Sequence, residues 1–105
     1  MLRFALRQAL VTLMLMVPAL AASPDEARGK SYALNHCARC HSIDRVSESR
    51  LKAAVPFRSL HTRYPIETLA ESLAEGISTG HPAMPEAKLS PDQIHDLLTF
   101  LKTLQ

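Results

Sequence analysis

The sequence has no tryptophan and only two cysteines, and past residue 21 just four aromatic side chains remain: Tyr32, Phe57, Tyr64 and Phe100. It shows no internal repeat, no low-complexity tract and no sustained alternation of apolar and polar residues. A repeat array and a sheet-based fold therefore lose their sequence support. The two cysteines are separated by two residues, so a disulfide between them would staple only a tiny loop. Usable charge excess is missing as well. The formal +2 includes Arg3 and Arg7, and without them the balance is zero. That removes the compositional case for a nucleic-acid or anionic-membrane role.

Arg3 and Arg7 belong to a segment that reads as an export signal. Ala9 to Val17 is almost wholly apolar, and Ala19 and Ala21 put small residues at the −3 and −1 positions of a cleavage site. The competing reading is a retained membrane anchor. However, the uncharged run from Gln8 to Pro24 is short and broken for a span, which needs roughly 20 mainly apolar residues. The expected organisation is a cleaved signal over residues 1–21 and one domain over 22–105, placing the protein in the periplasm. A domain of 84 residues buries only about 60% of the surface its unfolded chain exposes. Domains this small commonly take stability from a metal, disulfides or a large bound group.

Helical signals carry the rest of the chain. Asp25 to about Ala38 reads as a helix with a weak apolar stripe, and Gly29 within it costs roughly 1 kcal/mol against Ala. That cost suggests a close packing contact. Ser42 to about His61 lacks periodicity and reads as loop with one short helical turn. Pro65 to Glu75 reads as a second helix, with proline at its start and Gly76 as its stop. Glu67, Glu71 and Glu75 form a solvated face. Ser78 to Leu89 is a proline-bounded loop. Ser90 and Gln93 make a capping box that opens a third helix, whose Ile94, Leu97, Leu98, Leu101 and Leu104 recur at helical spacing. The expected class is all-α, with three to four short helices.

The stretch "HCARCHS", residues 36–42, concentrates the chemistry. A thioredoxin-like dithiol would need a βαβ setting, which the pattern lacks. Structural zinc would need four closed ligands. Cys37, Cys40 and His41 supply three, with His36, His61, His81 or His95 as a fourth, but no second paired-ligand motif is present. The third chemistry is covalent haem attachment, for which C-x-x-C-H is the signature. Residues three apart share one side of a helical turn, so both thiols reach one porphyrin edge and His41 supplies the proximal nitrogen.

For the sixth ligand of the iron the candidates are Met84, His36, His61, His81 and His95. His36 is too close to Cys37 to cross to the opposite side of the porphyrin, and His95 sits in an amphipathic helix as an ordinary boundary residue. Met84 lies in "TGHPAMPEA", residues 79–87, a loop stiffened by Pro82 and Pro85. It is the favoured distal ligand, with His81 its main rival and an open site third.

In this order the residues resemble the class I c-type cytochromes, in particular the small exported monohaem proteins of Gram-negative bacteria. Gly29 stands eight residues before Cys37, where the family packs its first helix against its last. Cys37, Cys40 and His41 match the attachment motif, "GHPAMP" the methionine loop, and Leu97 with Phe100 the closing helix. The chain departs from the pattern at Ala33, where an aromatic is usual, and at Asp44–Arg45, where a glycine is usual. The resemblance implies a cytochrome c-like all-α fold around one haem c held by two thioethers. It offers Pro56 as the residue whose carbonyl accepts from the His41 ring, and Arg58, Arg63 and Tyr64 as partners of the haem propionates.

What the resemblance implies about function is electron carriage rather than catalysis. The partners would be redox proteins docking transiently, with room for a membrane-bound donor or acceptor, and neither nucleic acid nor a small-molecule substrate is expected. The alternative is a haem c subunit of a periplasmic dehydrogenase or other oxidoreductase. A colourless zinc or thiol module is the third reading. The mature chain is also a charge dipole. Residues 22–63 carry eight basic against four acidic side chains, a balance of +4, and residues 64–105 carry −4. Arg39, Arg45, Arg50, Lys52, Arg58 and Arg63 would steer the protein to an acidic partner patch if they ring the haem edge. An equally good reading is a merely solvated surface.

Overall fold

The computed structural model describes residues 22–77 and 84–105. The export signal, His81 and Pro82 lie outside the described residues. Three α-helices carry the architecture: α1 Pro24–His36, α2 Leu69–Glu75 and α3 Pro91–Lys102. Two 3₁₀ helices, Phe57–Thr62 and Ile66–Thr68, stand between α1 and α2. The described residues contain no strand, only one isolated antiparallel bridge between Ile77 and Ala87. The all-α expectation is met.

α1 starts at Pro24, one residue before the expected Asp25. The Ser23 hydroxyl accepts from the Glu26 amide at 3.2 Å, Pro24 occupies the first turn, and Asp25 and Glu26 sit at the positive end of the helix. The helix stops at His36, two residues before the expected Ala38. Both the Cys37 and Ala38 amides fall on the Ala33 carbonyl, at 2.8 and 2.9 Å, and the ladder cannot advance past that doubly used acceptor.

α1 and α3 cross at Gly29. A Cβ there would come within 1.9 Å of the Asp96 carbonyl oxygen and 2.8 Å of Phe100 Cβ, so the backbones touch where only hydrogen fits. α3 opens on the expected capping box, with Ser90 N donating to Gln93 Oε1 at 2.9 Å and Gln93 N to Ser90 Oγ at 3.3 Å. Its Ile94, Leu97, Phe100 and Leu101 are buried, and with Ala33, Ile66, Leu73, Leu89 and Leu104 they form the core. Around the crossing, Arg28 pairs with Asp25 and, at 2.9 Å, with Asp96, while His95 Nε2 meets Asp25 at 3.0 Å. These partly exposed pairs add little stability. The burial does the holding.

The second expected helix is divided. Pro65 to Glu75 opens as the 3₁₀ helix Ile66–Thr68 before α2 takes over. The Thr68 amide and hydroxyl both bond the Pro65 carbonyl, at 3.1 and 2.7 Å, which winds that first turn tightly. Ile66, only 1% exposed, and Leu73 face the core. Gly76 ends the helix at φ 101°, a value that needs glycine. The Glu67, Glu71 and Glu75 row is exposed as expected, and Glu67 also reaches Lys102 of α3 at 2.9 Å.

Candidate haem-attachment site

The attachment residues stand where α1 unwinds. Cys37 caps the helix, and its carbonyl accepts from both Cys40 N at 3.2 Å and His41 N at 3.0 Å. One turn therefore carries both cysteines and His41. Both thiols are free and half-buried, and burial pushes the Cys37 thiol up to about 11, so it is protonated at neutral pH.

His41 has the most defined surroundings of the site. Its Nδ1 lies 2.7 Å from the carbonyl oxygen of Val55. A carbonyl only accepts, so Nδ1 carries a proton, and in the neutral imidazole Nε2 is then the nitrogen with the free lone pair. This is the tautomer that can ligate a metal, oriented from behind as such ligands usually are. The ring of Phe57 lies against it, with centroids 4.9 Å apart.

The acceptor expected at Pro56 is thus displaced by one residue. The Pro56 carbonyl is occupied by the Ser59 amide at 3.0 Å and the Ser59 hydroxyl at 2.8 Å, which start the 3₁₀ helix Phe57–Thr62. Val55, as the residue before a proline, is biased to extended backbone, and its carbonyl is the one turned to the ring. Neither Val55 nor Phe57 has a side-chain signature for such a role. The pre-proline position is the only sequence signal that points to Val55.

The remaining expected residues are dispersed. Arg58 is half-buried and engaged with the turn after His41, donating to the Ser47 carbonyl at 2.6 Å. Tyr64 and Met84 are each 36% exposed. Met84 follows directly on the stretch outside the described residues. His36 stacks on Tyr32 with centroids 4.3 Å apart, His61 is exposed, and His95 is bound to Asp25. Among the described residues the one group with metal-ligand spacing is Asp25, His95 and Asp96. It contains neither cysteine, and Arg28 donates to both its carboxylates. Among the described residues, Cys37, Cys40 and His41 form no such group with His36, His61 or His95.

Two thiols on one turn beside a histidine in its ligating tautomer are a donor set that fits covalently bound haem. The family model described as Cytochrome c matches residues 26–105. The chain belongs to the cytochrome c family. No curated protein and no solved structure matches it. Members of this family bind haem c covalently through Cys-X-X-Cys-His, and Cys37 and Cys40 stand at that spacing. The cofactor is therefore haem c, and the protein is a haem-binding electron-transfer protein of the class I type rather than a self-contained enzyme.

Proposed function

We propose that this chain is a periplasmic single-electron carrier whose haem iron is held axially by His41 and Met84. The bound haem supplies one-electron Fe(II)/Fe(III) exchange. Cys37 and Cys40 would anchor it through thioethers, and His41 Nε2 would ligate the iron. The observation that carries the reading is the hydrogen bond from His41 Nδ1 to the Val55 carbonyl, 2.7 Å long, because it orients the ring from behind as histidine ligands usually are. Met84 would supply the second protein ligand, a soft thioether, which favours the ferrous state. With both positions filled by protein, no site is left for a substrate, and little has to rearrange when the charge changes. The partners are redox proteins that dock transiently, met after export and removal of residues 1–21.

Redox titration of the exported protein tests this directly. The expected result is a reversible one-electron wave, one haem per chain retained through acid extraction, an N-terminus at Ala22, and no rapid carbon monoxide binding by the native reduced form. A colourless protein, or fast carbon monoxide binding, would remove the carrier reading.

A further inference from the structure

The residues that follow His41 are fastened to the segment that holds its ring. Ser42, the only buried polar residue among those described, accepts from the Phe57 amide at 2.9 Å through its carbonyl. Its own amide donates to Ser49 Oγ at 3.0 Å. Asp44 then folds the next residues back. Its carboxylate accepts from the Val46 amide at 2.8 Å, the Ser47 amide at 2.6 Å and the Ser47 hydroxyl. This turn presents the Ser47 carbonyl to Arg58. One Arg58 nitrogen, Nη1, donates there at 2.6 Å and has longer contacts with Ser42 Oγ at 3.3 Å and the Asp44 carbonyl at 3.4 Å.

Residues 55–58 therefore meet residues 41–47 at four successive points. Val55 holds the His41 ring, Phe57 lies against that ring and also holds the Ser42 backbone, and Arg58 closes the far end. No apolar side chain between Cys37 and Tyr64 is fully buried, and only Ile43, Phe57 and Leu60 pack partly buried against the core, so these bonds carry much of the stretch's order. We propose that Arg58 is a positioning residue for His41: by clamping the Ser42–Ser47 turn it keeps the Val55 carbonyl on the ring proton, and so tunes the electron density His41 gives to the iron. The proposal rests on His41 being the proximal ligand.

The physical signs separate this role from a simple charge effect. A firm bond from Nδ1 to a carbonyl makes the imidazole a better donor and favours ferric iron, so loosening it should raise the reduction potential. Deleting a nearby positive charge would instead lower the potential, because ferric iron is then less disfavoured. Arg58→Lys keeps the charge but replaces the planar guanidinium, whose Nη1 makes all three contacts, by a shorter-reaching ammonium.

The test uses the haem-loaded protein and compares Arg58→Lys, Ser42→Ala and an Arg50→Lys control by redox titration and by exchange of the His41 Nδ1 proton in NMR. Arg58→Lys should raise the potential and speed that exchange about tenfold, the scale of one charge-assisted hydrogen bond. Ser42→Ala, which changes no charge, should shift both readouts the same way by less, and it serves if the lysine variant does not mature. Arg50→Lys should move neither. An unchanged potential and unchanged exchange in Arg58→Lys or, where that variant fails to mature, in Ser42→Ala overturns the proposal while leaving His41 as ligand. A His41 ring in wild type whose resonances lack haem-ligand shifts overturns the ligation reading itself, and this proposal with it.

Discussion

At the crossing of α1 and α3, Gly29 lies directly on the Asp96 carbonyl and Phe100 fills the seam. In the stretch from Cys37 to Tyr64 the only fully buried side chain is Ser42, and beside the partial packing of Ile43, Phe57 and Leu60 order comes from hydrogen bonds: His41 to Val55, Phe57 to Ser42, Arg58 to Ser47. One region is held by burial and contact between backbones. The other is a set of turns whose donors and acceptors are matched but whose apolar side chains stay partly exposed. The difference teaches which half of a small domain can hold itself together and which depends on its cofactor. Apolar burial contributes about 25 cal/mol per Å², while each exposed-turn hydrogen bond nets only about 1 kcal/mol. A large apolar group tethered at Cys37 and Cys40 is the natural completion of the weaker half.

The contrast can be broken most severely by untethering the cofactor. Replacing both Cys37 and Cys40 by Ala should abolish all acid-stable haem. Amide hydrogen exchange should then show protection collapsing across residues 37–64 while the α1–α3 crossing keeps more of its own. Equal loss in both regions would mean that the two are not separable. Gly29→Ala attacks the other side. Alanine is normally favoured over glycine within a helix by roughly 1 kcal/mol, yet here the added methyl meets a backbone carbonyl. A net destabilisation of about 3 kcal/mol is expected from denaturant unfolding of the holoprotein. A neutral or stabilising result would show that the helices can part freely at this point.

A smaller effect lies in acid. Hydrogen bonds from the Ser47 hydroxyl, the Ser47 amide and the Val46 amide, with help from the Arg58 charge, bring the Asp44 carboxyl down to about 2 from its ordinary 3.8. A depressed carboxylate stabilises the folded turn above its unfolded pKa, and that contribution is lost as pH falls toward the folded one. Exchange protection of the Val46 and Ser47 amides should therefore persist through pH 4 and fade between about 4 and 2. Protection that vanishes above pH 4 would mean that Asp44 does not fold this turn.

Much of the crossing could be read from residue order alone. Ser90 announces the start of α3, Gly29 announces the contact, and the apolar period of α3 names its buried face, because these are local rules with local signals. The attachment turn was legible too, since two cysteines and a histidine at fixed spacing have few other uses. The proximal support was not. The Val55 carbonyl is backbone and carries no residue signature, so Pro56 beside it drew the assignment one position too far. Arg58 reads as a haem-propionate partner or a surface cation until the Asp44 turn brings the Ser47 carbonyl to it, a pairing across eleven residues that no periodicity encodes. The 3₁₀ opening after Pro65 escaped for a related reason: proline signals that a helix begins but not how tightly its first turn winds.

The central claim is that protein ligands occupy both axial positions of the iron, His41 on one side and Met84 on the other. The most direct test is the weak ferric absorption band near the red edge that a methionine sulfur–iron bond produces, recorded for wild type and for Met84→Ala. The account predicts that the band is present in wild type and absent in the variant, whose reduced form then binds carbon monoxide rapidly. A wild-type protein without the band, or a variant that keeps it, would contradict the assignment.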